Sequence, residues 1–221
     1  MLIMSPLFIV KNLERSALKR YSDYLSGRVL DIGCGTRPYE RYLKKSSEYI
    51  GMDESSDVKP DILGSIRDIP FPDGHFDAIL CTEVLEHLAE PEIAIKEIKR
   101  VLKKEGYLYM TVPQEWCLHY EPDDYFRFTK YGIRYLLEKN GLQIIAIDRI
   151  GGIFSLIGQR FIDVAWSVIT GLLRPVIGLK WAERTASILC LPVSLSFFIL
   201  SMVGDNIDKK DALGWAVLAV K

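Results

Sequence analysis

The sequence has almost no net charge, with 28 Lys plus Arg against 29 Asp plus Glu in 221 residues. A chain built to grip a polyanion carries a basic excess, so the balance of −1 argues against nucleic acid as a partner. Cysteine is also sparse. Cys34, Cys81, Cys117 and Cys190 lie far apart, and without a C-x-x-C pair they suggest neither a metal site nor a redox couple. Reduced, mostly buried thiols of a cytosolic protein are expected instead. No internal repeat or low-complexity tract is present. The opening MLIMSPLFIV is apolar but has no basic start, is broken by Pro6 and runs into KNLERSALKR, so neither a signal peptide nor a spanning segment is expected there.

What is present is alternation. After a helical lead-in from Lys11 to Leu25, short β-type runs occur at Val29–Ile32, Tyr49–Met52, Ile62–Leu63, Ala78–Cys81, Tyr107–Val112, Gln143–Ile147 and Trp215–Val220. PEIAIKEIKRVLKK places Ile93, Ile98, Val101 and Leu102 near one helical face, with Pro91 in the first turn and Gly106 past the end. TKYGIRYLLEKNG repeats the device between Thr129 as cap and Asn140-Gly141 as stop. This order predicts an α/β fold with a doubly wound, mostly parallel sheet, whose ligands bind beyond the carboxyl ends of the strands where strand order reverses.

RVLDIGCGTRP, residues 28–38, ends a strand in two glycines. Gly33 and Gly35 allow backbone N–H groups to approach a ligand where a Cβ would clash. A dinucleotide turn needs a third glycine, and Pro38 occupies its place. Asp53 closes the next strand in YIGMDESS, where a carboxylate can accept from a ribose diol at about 1.5 to 3 kcal/mol per charge-assisted bond. Asp31, two residues before the turn, repels pyrophosphate but suits an ammonium or sulfonium. The pair favours a nucleoside with a cationic tail.

Three blocks now resemble one family in order and spacing: VLDIGCG, DIPFPDGHFDAILCTEVLEHL and EIKRVLKKEGYLYMTVP. The chain is similar to the class I S-adenosylmethionine-dependent methyltransferases over residues 25–150 and the last ten or so. The resemblance implies the Rossmann-like, seven-stranded methyltransferase fold, with S-adenosylmethionine as cofactor. It also implies that Gly33, Cys34 and Gly35 pass under the methionine part while Asp31 receives its ammonium. Asp53 would hold the ribose, Ser65 and Ile66 would border the adenine, and Cys81 would offer backbone groups. Two departures stand out. Ser65 replaces an Asp common in relatives, and Arg37-Pro38 replaces a further glycine, with Arg37 a candidate partner for the methionine carboxylate.

Methyl transfer is an in-line displacement that requires positioning and sometimes a base. It requires no metal, and no metal ligands are assigned. The base candidates are His87 in EVLEHL, and His119 and Asp124 in CLHYEPDDYFRFT, which resembles an HxxEPxDYxRxT block of a methyltransferase subgroup. Alternatively His87 shapes the pocket, and Asp123 and Asp124 neutralise Arg127.

Residues 151–204 form an apolar insert between residues 1–150 and 205–221, which make up the cofactor domain. As a helix, Ile153–Arg174 puts Arg160, Asp163, Ser167, Thr170 and Arg174 on one stripe, and Thr185–Gly204 is an uncharged run long enough for the ~30 Å hydrocarbon core. The flanking strands should share one sheet, so a single crossing is excluded. An in-plane or re-entrant hairpin on the cytosolic face of a membrane, a homodimer interface, or capping of the domain itself remain. The expected activity is methyl transfer to a small or lipid-linked acceptor. An NAD-dependent oxidoreductase and a non-catalytic scaffold are the rivals.

Overall fold

The structure, a computed structural model, describes residues 6–207 and 209–221. Residues 1–5, where the apolar opening begins, and Asp208 lie outside the described residues. Strands β1 (Gly27–Ile32), β2 (Ser46–Asp53), β3 (Ile62–Leu63), β4 (Phe76–Thr82), β5 (Leu102–Pro113), β6 (Gln143–Ile150) and β7 (Gly214–Val220) form one sheet in the order β3-β2-β1-β4-β5-β7-β6. The pairs β1–β2, β1–β4, β2–β3 and β4–β5 are parallel, and β5–β7 is antiparallel.

Each strand contains the run expected from sequence. The central ones read as near-continuous apolar stretches, because both faces of a parallel sheet are covered; Val29 to Ile32 and Ala78 to Cys81 are all buried, with Asp31 the one charged residue among them. The chain leaves β1 for β2 and β3 on one side, then returns to β4 on the other. That reversal opens a crevice beyond the carboxyl ends of β1 and β4.

Helix α1 spans Phe8–Tyr21, α2 Pro91–Val101 and α3 Lys130–Lys139. Pro91 opens α2 as expected, but the buried face is Ala94, Ile95, Ile98 and Val101, and Ile93 is exposed. Gly106 lies inside β5 rather than past the helix, and a Cβ there would meet Leu102 and the Asp77 carbonyl at 2.9 and 3.0 Å. Thr129 caps α3 by accepting from Gly132 N–H at 3.0 Å. On α2, Arg100 pairs with Glu97 (2.7 Å) and donates to the Ile69 and Phe71 carbonyls, while Glu97 accepts from Ile69 N–H. The loop before β4 is thereby fastened to the helix after it.

The chain divides into two compact units, Arg15–Asp148 with Gly214–Lys221, and Met1–Glu14 with Arg149–Leu213. The boundaries differ from 1–150 and 151–204 because the start of α1 groups with the insert. Within that second unit Phe8, Ile9, Ile162 and Cys190 are buried together, and the Phe8 ring lies 5.4 Å from that of Phe198. The insert is a hairpin of α4 (Ile153–Ile177) and α5 (Leu179–Gly204), turning at Gly178 with φ +78°. Close approach at Gly158 to Phe197 and at Gly204 to Phe154 brings the start of one helix to the end of the other. Asp205 closes it by accepting from Phe154 N–H (2.8 Å), Ser155 N–H (3.2 Å) and the Ser155 hydroxyl, an acidic N-terminal cap. Among the described residues these are the two helices long and apolar enough to cross a membrane.

Candidate active site

At the crevice lies a cavity of about 550 Å³, within the range of sites that enclose nucleoside-sized ligands. Its floor is the turn after β1. Gly33 (φ +67°) and Cys34 donate their N–H groups to the Met52 carbonyl at 2.9 and 3.1 Å, and Gly35 (φ +48°) donates to the Asp53 carboxylate at 3.0 Å. The other oxygen of that carboxylate accepts from Ser55 N–H at 2.9 Å. Asp53 therefore has a role the sequence did not disclose: it ties the glycine turn to the end of β2 while lining the cavity.

The two glycines are needed for different reasons. A Cβ on Gly33 would fall 2.4 Å from Val84 Cγ2, so the obstacle is the neighbouring chain and not a ligand. A Cβ on Gly35 would meet no protein atom within 4 Å. It would take up cavity space.

Of the other cofactor candidates, Ile66 lines the cavity. Ser65, between lining residues Gly64 and Ile66, donates its hydroxyl to Glu54 at 2.6 Å and accepts from Arg67 N–H, so it fixes the loop rather than facing the cavity. Cys34 is buried with its sulfur against Gly51. Cys81 is buried in the ladder, paired in register with Ile32 and Met110, and β4 is followed at the cavity by Glu83 and Val84. Asp31 does not reach the cavity surface. Its Oδ2 accepts from the Tyr49 hydroxyl at 2.5 Å, its Oδ1 is buried without a partner, and burial pushes its pKa up to about 7. Arg37 is engaged with Asp61 at 2.8 Å, away from the carboxylate role considered for it.

Sequence reasoning missed Met52, Glu54, Val58, Arg67 and Leu88 as lining residues. The only signal for them was adjacency to predicted strand ends and to the loop before β4.

The second wall comes from the chain after β4 and after β5. His87 and Tyr120 line the cavity, and His119 stands behind His87 with ring centroids 4.7 Å apart. The Glu86 carbonyl accepts from Tyr125 and Phe126 N–H at 2.9 and 3.2 Å, which docks the later loop on the earlier one. Burial lowers the His119 pKa, keeping the ring neutral around pH 7. Asp124 is held otherwise. Both its oxygens pair with Arg127 (2.7 and 2.8 Å), it accepts from His119 N–H at 3.0 Å, and these contacts keep its pKa well below the usual range. Such a carboxylate braces a loop and is a poor proton acceptor, so Asp124 corrects from base candidate to brace. Glu86 is fully buried, with neither carboxylate oxygen hydrogen-bonded, and burial raises its pKa to about 9.

A seven-stranded sheet with this order, a glycine turn and an acidic residue closing β2 is the Rossmann-like methyltransferase fold. Comparison with known proteins agrees. The family model described as a methyltransferase domain matches residues 30–110. An uncharacterized methyltransferase of Schizosaccharomyces pombe is 35% identical over 106 residues, covering 37% of this chain and 38% of its own. A fatty-acid O-methyltransferase of Mycolicibacterium smegmatis is 30% identical over 124 residues, covering 44% and 45%. The crystal structure of a SAM-dependent methyltransferase from Archaeoglobus fulgidus superposes with a TM-score of 0.60 at 18% identity, over 96% of this chain and 94% of that one. Residues 30–110 are thus similar to the methyltransferase-domain family, and the chain has the fold of the S-adenosylmethionine-dependent methyltransferases. It spans about half or less of the length of the curated relatives it matches.

Proposed function

We propose that the protein transfers the methyl group of S-adenosylmethionine to a lipid-linked or otherwise amphipathic acceptor on the cytosolic face of a membrane. The observation that carries the first half is the cavity at the strand reversal, with Gly35 leaving open space above its backbone and Asp53 at the rim. The ribose hydroxyls would donate to Asp53, and the adenine would lie between Ile66, Val58 and Leu88. The methionine ammonium would sit over the turn, with Asp31 acting through water.

The acceptor would enter from the wall formed by His87 and Tyr120. Bound S-adenosylmethionine would supply a methyl carbon activated by its sulfonium, and His87 and Tyr120 would hold the attacking atom of the acceptor in line with it. Any proton the acceptor loses would pass to an imidazole nitrogen, of His87 directly or of His119 behind it.

Support for the second half comes from the hairpin. Ile157, Phe161, Val164, Val168 and Leu172 form one exposed face of α4, and Ile188, Leu195, Ile199 and Met202 one of α5. Polar groups turn inward: Gln159 is buried and donates to the Pro6 carbonyl and to Asp163, and Ser194 and Ser201 bond back to their own helix. Broad apolar faces outside, with Gln159, Ser194 and Ser201 turned inward, suit a bilayer, although Ser167 and Ser196 remain exposed. Helices of 25 and 26 residues measure about 38 and 39 Å. Because β6 and β7 belong to one sheet, the hairpin must enter and leave on the same side.

Calorimetry with S-adenosylhomocysteine and NAD tests the cofactor: binding of the first and not the second is expected, and tight NAD binding would reverse the assignment. Turnover with a labelled methyl donor separates an enzyme from a scaffold. Carbonate extraction and protease access from each side test the hairpin, and a soluble dimer would indicate self-association instead.

A further inference from the structure

Among the described residues, Glu86, His87 and His119 each bring one ligand-type atom within 4.8 Å of the others. Methyl transfer would use the two imidazoles at most as proton acceptors and has no use for the buried carboxylate beside them. Glu86 is fully buried, yet neither of its oxygens has a hydrogen-bond partner, and Oε1 lies 3.8 Å from His87 Nε2. An unpartnered buried carboxylate is disfavoured unless something cationic or donating completes it.

The imidazoles are already prepared to be that site. His87 Nδ1 is 2.7 Å from the Asp123 carbonyl and His119 Nδ1 is 3.2 Å from the Cys117 carbonyl. A carbonyl can only accept, so each Nδ1 carries a proton, and Nε2 is the nitrogen each ring has left to offer as a ligand. Backbone-held Nδ1–H with free Nε2 is the usual second layer of a metal-bound histidine. Asp124 Oδ2, 3.4 Å from His119 Nδ1, adds a carboxylate to that layer.

We infer that Glu86, His87 and His119 form a binding site for one first-row divalent cation, Zn²⁺ or Mn²⁺, at the wall of the cavity. Two imidazoles and one carboxylate favour these ions over Mg²⁺ or Ca²⁺, which prefer oxygen alone. Donor atoms bound at about 2.0 to 2.2 Å stand about 3.0 to 3.5 Å apart, so side-chain rotation has to close the widest separation of 4.8 Å by about 1.3 to 1.8 Å. Three protein ligands leave positions open, and His87 lines the cavity; a bound ion would hold an acceptor oxygen or water there. The site rests on its own geometry and not on the identity of the acceptor.

The test uses the full chain after removal of metal with chelator, titrated calorimetrically with Zn²⁺ and separately with Mn²⁺, followed by metal analysis. One equivalent per chain is expected. Glu86→Gln and His119→Ala should each weaken binding at least tenfold, while Cys117→Ser, at the exposed thiol nearby, should change nothing. Unfolding curves confirm that each variant is folded. Should Glu86→Gln fail to fold, the less buried His119→Ala decides. The inference is overturned if neither ion binds stoichiometrically, if binding survives the ligand variants, or if Cys117→Ser alone removes it. Failure to bind S-adenosylhomocysteine with metal binding intact would count against the methyltransferase reading and leave this site standing.

Discussion

Replacing Asp53 by Ala tests the donor side most directly, because its carboxylate does two separable things. In the free protein it accepts from Gly35 and Ser55 N–H at 3.0 and 2.9 Å. These bonds lie at a solvent-accessible rim where water can replace the carboxylate, so their loss should cost about 0.5 to 1.5 kcal/mol of stability. With cofactor bound it would also accept from the ribose. Losing a charge-assisted contact of about 1.5 to 3 kcal/mol predicts affinity for S-adenosylhomocysteine reduced roughly 10- to 150-fold. Asp53→Asn keeps one acceptor oxygen without the charge and should fall between. Calorimetric titration of the three proteins, with thermal unfolding in the absence of ligand, separates the two effects. Unchanged affinity in Asp53→Ala would remove the residue from the cofactor site and refute the ribose assignment.

Gly33→Ala forces a Cβ against Val84 and strains a φ of +67°, so it should lower the melting temperature, with partial rescue by Val84→Ala. Gly35→Ala, at a φ of +48° but with no protein atom near its Cβ, should lose less melting temperature than Gly33→Ala, through backbone strain alone, and should lose cofactor affinity; equal melting losses for the two would overturn the distinction. Asp31, with its pKa raised from the ordinary 3.8 to about 7, holds its proton in the folded state through an interval where the unfolded chain has lost it. Its contribution to stability should therefore fall as pH rises from about 4 to about 7, and comparing melting temperatures of wild type and Asp31→Asn across that range should expose the difference. A constant offset would refute the raised pKa. Asp124, lowered by Arg127, works in the opposite direction: its stabilisation is present above the ordinary carboxylate range and is lost as pH falls through and below it. Asp124→Asn should cost about 1.5 to 3 kcal/mol at neutral pH and little in acid. Val168→Asp and Ile199→Asp, on exposed faces of the hairpin, should release the protein from membranes without changing its melting temperature; persistent membrane binding would count against the attachment.

The architecture was legible because its signals are local. A buried strand has to be a short, largely apolar run, and the central strands announced themselves that way, with Asp31 the charged exception in β1; Pro91 in the first turn of α2 and the Thr129 cap of α3 did the same for the helices. The glycine turn and Asp53 were legible because a backbone approach and a strand-end carboxylate leave marks at fixed spacing. What was not legible depended on partners distant in sequence. Nothing in EVLEHL says that Glu86 ends with two unpaired oxygens, and nothing in DDYFRF says that Arg127 claims Asp124 from both sides. Gly106 was misplaced because a glycine after a helical pattern fits a stop as well as a strand that passes close to another backbone. The start of α1 joined the insert because Phe8 and Ile9 needed apolar partners, which Ile162 and Phe198 supply.

The loop after β5 links these observations. Its conformation is set by Arg127, which grips Asp124 and the Cys117 carbonyl, and by the Glu86 carbonyl, which receives Tyr125 and Phe126. The same loop supplies the carbonyls of Asp123 and Cys117 that fix the two imidazoles, and it places Tyr120 at the cavity. An anionic Asp124 is thus worth more as a brace than as a base. By holding the loop it holds the His87 and His119 rings through Nδ1, which leaves each Nε2 to be offered to a proton or a cation.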